Sequence, residues 1–209
     1  MVVHTTITMT FSKDLFYLTG ALRDGSVFYD KASRNYTLVW YSNSASYLDE
    51  SIVCRVVKVF GKKPKVYEYR SGNYRVRISS KDAYLQLKRI FDFPDEGIGQ
   101  INWGVSQTLR NATYGLRIAY IRAMYDAEGD VSIRNRYIEV SQKNTEVLEW
   151  IRTVLNDYGI NSGSVVLADK KSMTYKFVIS EKRSVWLFRK QIGFELDSKK
   201  KMLDLLCLR

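Results

Sequence analysis

Ile121-Arg122-Ala123-Met124-Tyr125-Asp126-Ala127-Glu128-Gly129 ends an apolar helical run on an acid and a glycine. An earlier stretch, Tyr17-Leu18-Thr19-Gly20-Ala21-Leu22-Arg23-Asp24-Gly25, does the same. The two acids, Asp24 and Glu128, stand 104 residues apart, half the 209-residue chain. A single Asp-Gly or Glu-Gly pair reads as a turn. Two such pairs at matching positions, each closing a helix and opening an alternating strand, mark a duplicated unit.

Working outward, each half reads as helix, hairpin, helix, hairpin, helix. Ser12 is placed to cap a helix running through Arg23. Ser26–Tyr41 alternates as a hairpin turning at Ser33-Arg34-Asn35, and Ser46–Phe60 has helical spacing (Leu48, Ile52, Val56, Val59) that stops at Gly61. Lys65–Ser79 is a second hairpin, and Lys81–Phe91 a third helix before Pro94. The second half repeats this with a motif helix over Thr113–Ala127 and a hairpin over Asp130–Ser141. A helix over Thr145–Tyr158, a hairpin over Ser164–Ser180 and a helix over Glu181–Gln191 follow, with a basic helical tail at Ser198–Arg209. The expected organisation is an N-terminal repeat at 1–93, a linker at 94–112 and a C-terminal repeat at 113–209. The fold class is α+β: two pseudo-twofold αββαββα units with antiparallel sheets that leave one polar face.

Composition limits the function. A hydrophobic fraction of 45% supports a real core. The absence of an apolar run of about 18 residues predicts no membrane span, and no signal peptide is read at the N-terminus, which points to the cytoplasm of a prokaryotic or archaeal host. Cys54 and Cys207 fall within apolar helical patterns and are expected as buried, reduced thiols. The single histidine, His4, is expected in a frayed end, which disfavours histidine-based chemistry. Lys and Arg total 33 against 22 Asp and Glu, a formal charge of +11 that favours a polyanionic partner.

Ala119, Ala123 and Ala127 share one helix face. Packed on the pseudo-dyad, such helices would bring Asp24 and Glu128 together. Paired carboxylates resist ionising unless a cation lies between them, and Mg²⁺ suits an all-oxygen site. In the first copy, counting back from Asp24 puts Arg23 and Thr19 where small residues belong, and Gly20 fits only if the motif is one residue short, so either the helix tightens at its end or Arg23 turns out toward phosphate.

This constellation resembles the LAGLIDADG homing endonucleases of the single-chain, two-motif kind. The resemblance covers nearly the whole chain. It implies a monomer with saddle-shaped sheets that cuts both strands of a long, specific duplex DNA target, leaving short 3′ overhangs. Asp24 and Glu128 become the metal ligands, for Mg²⁺ with Mn²⁺ able to substitute and Ca²⁺ supporting binding only. Gln142 is assigned to ordering water, with Ser42 or Asn43 as its counterpart, and Lys199 to the phosphate. The alternative is a non-catalytic nucleic-acid binder of the same fold, an RNA maturase or a DNA-binding regulator.

Strand alternation nominates Phe28, Asp30, Arg34, Glu68, Arg70, Arg75 and Arg77 for DNA contact in the first half. In the second half it nominates Ser132, Arg134, Arg136, Tyr137, Glu139, Lys176 and Val178. Arginine suits guanine, and acids can accept from cytosine.

Overall fold

The structure, a computed structural model, describes residues 11–90 and 103–208. His4 and residues 94–102 of the expected linker lie outside them. The elements of the first repeat are α1 (Lys13–Ala21), β1 (Ser26–Asp30), β2 (Asn35–Ser42), α2 (Ala45–Tyr47), α3 (Cys54–Phe60), β3 (Val66–Arg70), β4 (Asn73–Ser79) and α4 (Lys81–Ile90). A π-helical stretch, Leu48–Val53, joins α2 to α3. The second repeat holds α6 (Tyr114–Glu128), β5 (Gly129–Ser132), β6 (Tyr137–Gln142), α7 (Thr145–Asp157), β7 (Val166–Asp169), β8 (Thr174–Ile179), α8 (Lys182–Gln191) and α9 (Asp197–Cys207). Between the repeats, α5 (Gln107–Arg110) was not anticipated. It is no loose tether, because Trp103, Val105 and Leu109 are buried in the core.

Two four-stranded antiparallel sheets result, ordered β1-β2-β4-β3 and β5-β6-β8-β7. Their correspondence extends to details. Each first hairpin ends its turn on an arginine with positive φ, Arg34 at 52° and Arg136 at 56°. Each outer strand carries a register shift, between Glu68 and Arg70 and between Leu167 and Asp169.

The repeats meet along α1 and α6. The helices run in the same direction, with Lys13 beside Gly115 and Gly20 beside Tyr120 and Ala123. A Cβ on Gly20 would lie 2.2 Å from the Tyr120 carbonyl oxygen and 3.0 Å from the Ala123 Cβ. The glycine is therefore what permits the crossing. Ser12 caps α1 as expected, its Oγ accepting from the Leu15 N–H at 3.1 Å.

The cysteines depart from expectation: both are free, but Cys54 is exposed and Cys207 only half-buried. In the middle helix of the first repeat the buried row is Leu48, Ile52 and Val56. Cys54 lies two residues from Ile52, about 200° round the helix, on the solvent side.

Candidate active site at the ends of the motif helices

Helix α1 does not simply end at Ala21. It tightens into a 3₁₀ turn over Leu22–Asp24. This resolves the short first motif. From Gly20 to Asp24 is four residues, whereas from Ala123 to Glu128 is five. Three residues at the 3₁₀ rise plus one at the α rise span about 7.5 Å, the same as five α-helical residues. Both acids therefore reach the same level beyond the helix crossing.

Arg23 takes the inward course. Its side chain is fully buried, not turned to solvent for phosphate. Nε donates to the Tyr120 hydroxyl at 2.7 Å, while the two terminal nitrogens donate to the carbonyls of Trp103 (2.5 Å) and Gly104 (2.9 Å). One guanidinium thus ties the first motif helix to the second and to the segment joining the repeats.

Asp24 and Glu128 are electrostatic neighbours. Crowding by protein pushes the Asp24 carboxyl up to about 6, against the opposing pull of the Lys199 ammonium. Glu128 is pushed up to about 7, first by burial and then by the Asp24 charge, with Lys199 and Arg23 opposing. Asp24 is exposed, and Glu128 is half-buried.

Lys199, on the first turn of α9, lies over the end of α6. Its Nζ donates to the carbonyls of Tyr125 (3.1 Å), Asp126 (2.5 Å) and Ala127 (3.4 Å). A cation suits the negative end of a helix. Burial lowers its proton affinity, while Asp126, Asp130, Glu128 and Asp24 all raise it. A cleft of about 720 Å³ opens here, lined by Asp24, Ser42, Asn43, Ala127, Asp130 and Lys199 among others.

The remaining expected site residues divide. Ser42 pairs with Tyr74 just as Gln142 pairs with Tyr175, so Ser42 rather than Asn43 is the positional counterpart of Gln142. Gln142 is only 4% exposed. Its Oε1 accepts from the Lys143 N–H at 2.7 Å, and its buried Nε2 has no hydrogen-bond partner among the described residues.

On the first sheet, Phe28, Arg75 and Arg77 share the face away from the helices, with the Arg77 guanidinium 6.0 Å from the Phe28 ring. Glu68 does not join them. It stands opposite Tyr74 on the other row, and its carboxylate accepts from the Gly72 N–H. Tyr67, opposite Arg75, holds the position that Glu68 was expected to fill. Arg70 recovers the outer row only because the bulge intervenes. Asp30 is engaged in its own turn, accepting from the Ala32 N–H and the Ser33 hydroxyl.

On the second sheet, Ser132, Tyr137, Glu139, Lys176 and Val178 share the outer face. Lys176 donates to Glu139 at 2.7 Å. Arg34, Arg134 and Arg136 are exposed in the hairpin turns. The sequence reading missed Asp126, only 2% exposed, whose Oδ1 accepts from the backbone N–H groups of Glu195 and Leu196. Its signal was an acid inside a buried helical face.

Residues 115–193 match the family described as LAGLIDADG-like domain. Homing endonuclease I-ApeI from Aeropyrum pernix is 35% identical over 193 residues, 91% of this chain and 85% of that protein. The chain belongs to the LAGLIDADG homing endonuclease family. Site-specific DNA cleavage is the function that membership supports. Among solved structures, a mesophilic variant of the homing endonuclease I-DmoI shares the fold with a TM-score of 0.69, 20% identity, and coverage of 88% of this chain and 93% of that one. I-DmoI in complex with DNA and Mn superposes with a TM-score of 0.68 at 21% identity, covering 86% and 96%. A stretch of 137 residues, 65% of the chain, is also 30% identical to 12% of a probable translation initiation factor IF-2 from Thermococcus kodakarensis.

Proposed function

We propose that this homing endonuclease cuts both strands of a long duplex target with a divalent cation held at Asp24 and Glu128, leaving short 3′ overhangs. One observation carries the reading: two repeats independently deliver a carboxylate to one level of the pseudo-dyad, where crowding by protein raises both proton affinities and the Asp24 charge raises that of Glu128 further. Such a pair favours a hard cation between its members. No group of three or more His, Cys, Asp and Glu side chains that could hold a metal occurs among the described residues. A pair of carboxylates fits an ion that keeps water and phosphate oxygens in its shell, as Mg²⁺ does. When bound, the cation polarises the scissile phosphate and lowers the pKa of the attacking water.

The chain's own residues do the rest. The Lys199 ammonium, anchored on the end of α6, supplies fixed positive charge beside both acids, where charge builds on the phosphate. The Ser42 hydroxyl, lining the same cleft, orients water there. In the other half, the buried Nε2 of Gln142, without a hydrogen-bond partner among the described residues, is a donor for an ordered water. The outer faces of the two sheets, with Phe28, Arg75, Arg77, Tyr137 and Lys176, take the DNA grooves, while the turn arginines Arg34, Arg134 and Arg136 reach the flanking backbone. The chain acts as a monomer, since both repeats are in one polypeptide. No helix among the described residues is long and apolar enough to cross a membrane.

The test is digestion of a plasmid library bearing random inserts. Mg²⁺ or Mn²⁺ is expected to yield linear product from a specific subset, and Ca²⁺ retention of that subset uncut. Because both folded-state values lie above the usual carboxylate range, protons compete with the cation below about pH 6–7. The cation concentration giving half-maximal cutting should therefore fall by about tenfold or more between pH 5.5 and 8. In the cation-free protein the sign is opposite: the raised values favour the fold at low pH, and that contribution is lost as pH rises through about 6–7. Cutting that persists in excess chelator would refute the cation's role.

A further inference from the structure

Lys199 sits on the α6 carbonyls of its own repeat, yet the loop that leads into its helix is held in part by the first repeat. Tyr17, on α1, donates its hydroxyl proton to Asp126 Oδ2 at 2.7 Å, so the Tyr47 hydroxyl, 3.0 Å away, is left to donate to Tyr17. Asp126 uses its other oxygen to accept from the Glu195 and Leu196 N–H groups at 2.9 and 3.0 Å. Leu196 is the N-cap residue of α9, and Lys199 lies on that helix's first turn. The Glu195 side chain is held from the first repeat as well: Ser51 Oγ donates to Oε2 at 3.0 Å and Arg55 to Oε1 at 2.7 Å. Ser51 comes from the π-helical stretch, and the Arg55 guanidinium lies 3.9 Å over the Tyr17 ring.

We propose that Tyr17, with Ser51 and Asp126, is a positioning device for Lys199, so that the N-terminal repeat sets the placement of the phosphate-facing lysine of the C-terminal one. The inference rests on the role given to Lys199 above. A buried hydroxyl–carboxylate chain with every oxygen engaged holds the Glu195–Leu196 backbone in a single arrangement. Displacing a charged group by about 1 Å at a reacting phosphate costs on the order of 10²-fold in rate, and a partial release correspondingly less. The arrangement is one-sided. Counting back from the acid, the position in the first motif copy that corresponds to Asp126 is Leu22, whose side chain cannot accept a hydrogen bond.

The test is a double-mutant cycle on a plasmid that the parental protein linearises, read as single-turnover cutting rate in saturating Mg²⁺, with DNA affinity measured in Ca²⁺. Tyr17→Phe keeps the ring under Arg55 and removes only the hydroxyl. It is expected to slow cutting by about tenfold, with affinity unchanged. In a Lys199→Ala background the same substitution should change the rate by less than about twofold, because its effect passes through the lysine. Should Tyr17→Phe fail to fold, Ser51→Ala removes the donor to Glu195 Oε2 while Arg55 keeps Oε1, and should give the same pattern with a smaller slowing. Equal slowing in both backgrounds, or no slowing by either variant, would overturn the positioning role alone. If Lys199→Ala itself cuts at the parental rate, the role of the lysine fails, and the positioning role with it.

Discussion

Asp24→Asn and Glu128→Gln are each expected to lose double-strand cutting by at least about 10²-fold while DNA affinity in Ca²⁺ changes by no more than about threefold. Each substitution is nearly isosteric. The 3₁₀ turn before Gly25 and the C-terminal end of α6 do not depend on the charge of the side chain that follows the crossing. What disappears is a full negative charge on an oxygen donor, and an amide cannot replace it for a hard divalent cation. The sheets, proposed to carry the phosphate and base contacts, are untouched. The measurement is the linearisation rate of a selected plasmid alongside a binding isotherm on the same DNA. Parental cutting by both variants would mean that the acids are structural.

The second large effect is on stability. Gly20→Ala should lower the melting temperature by about 6–12 °C, equivalent to about 3 kcal/mol for a chain of this size. The added methyl would lie 2.2 Å from the Tyr120 carbonyl oxygen. That neighbour is backbone in the middle of α6, so the helices themselves must separate. Since α1 and α6 carry the two acids, cutting should weaken even where the variant remains folded. A melting temperature within 1 °C of the parent would show that the two helices do not touch at Gly20.

The sequence revealed the acids because three local signals coincided in each copy: a small-residue helix, an acid with glycine, and an alternating strand. Asp24 and Glu128 needed no knowledge of distant residues. Arg23 did. Two of its three acceptors lie 80 and 81 residues away in a segment that reads as a linker, the third lies 97 away on α6, and nothing local shows that Trp103 folds back into the core. Asp126 was overlooked for the same reason, as its partners stand 69, 70 and 109 residues off. Glu68 was misplaced by a different cause. Alternation carried across the second hairpin assumes a loop that preserves face, and the bulge at Tyr69 breaks that count. Gln142 was correctly aligned with the end of its strand, but the row containing Ile138 and Val140 turns it inward, beyond the reach of pattern reading.

The most direct measurement is anomalous diffraction from crystals of the protein with a selected DNA target and Mn²⁺. Strong peaks between the Asp24 and Glu128 carboxylates, shared with the backbones of the two strands, are the expected result. Manganese found only at other acids, with none in reach of those two, would contradict the account.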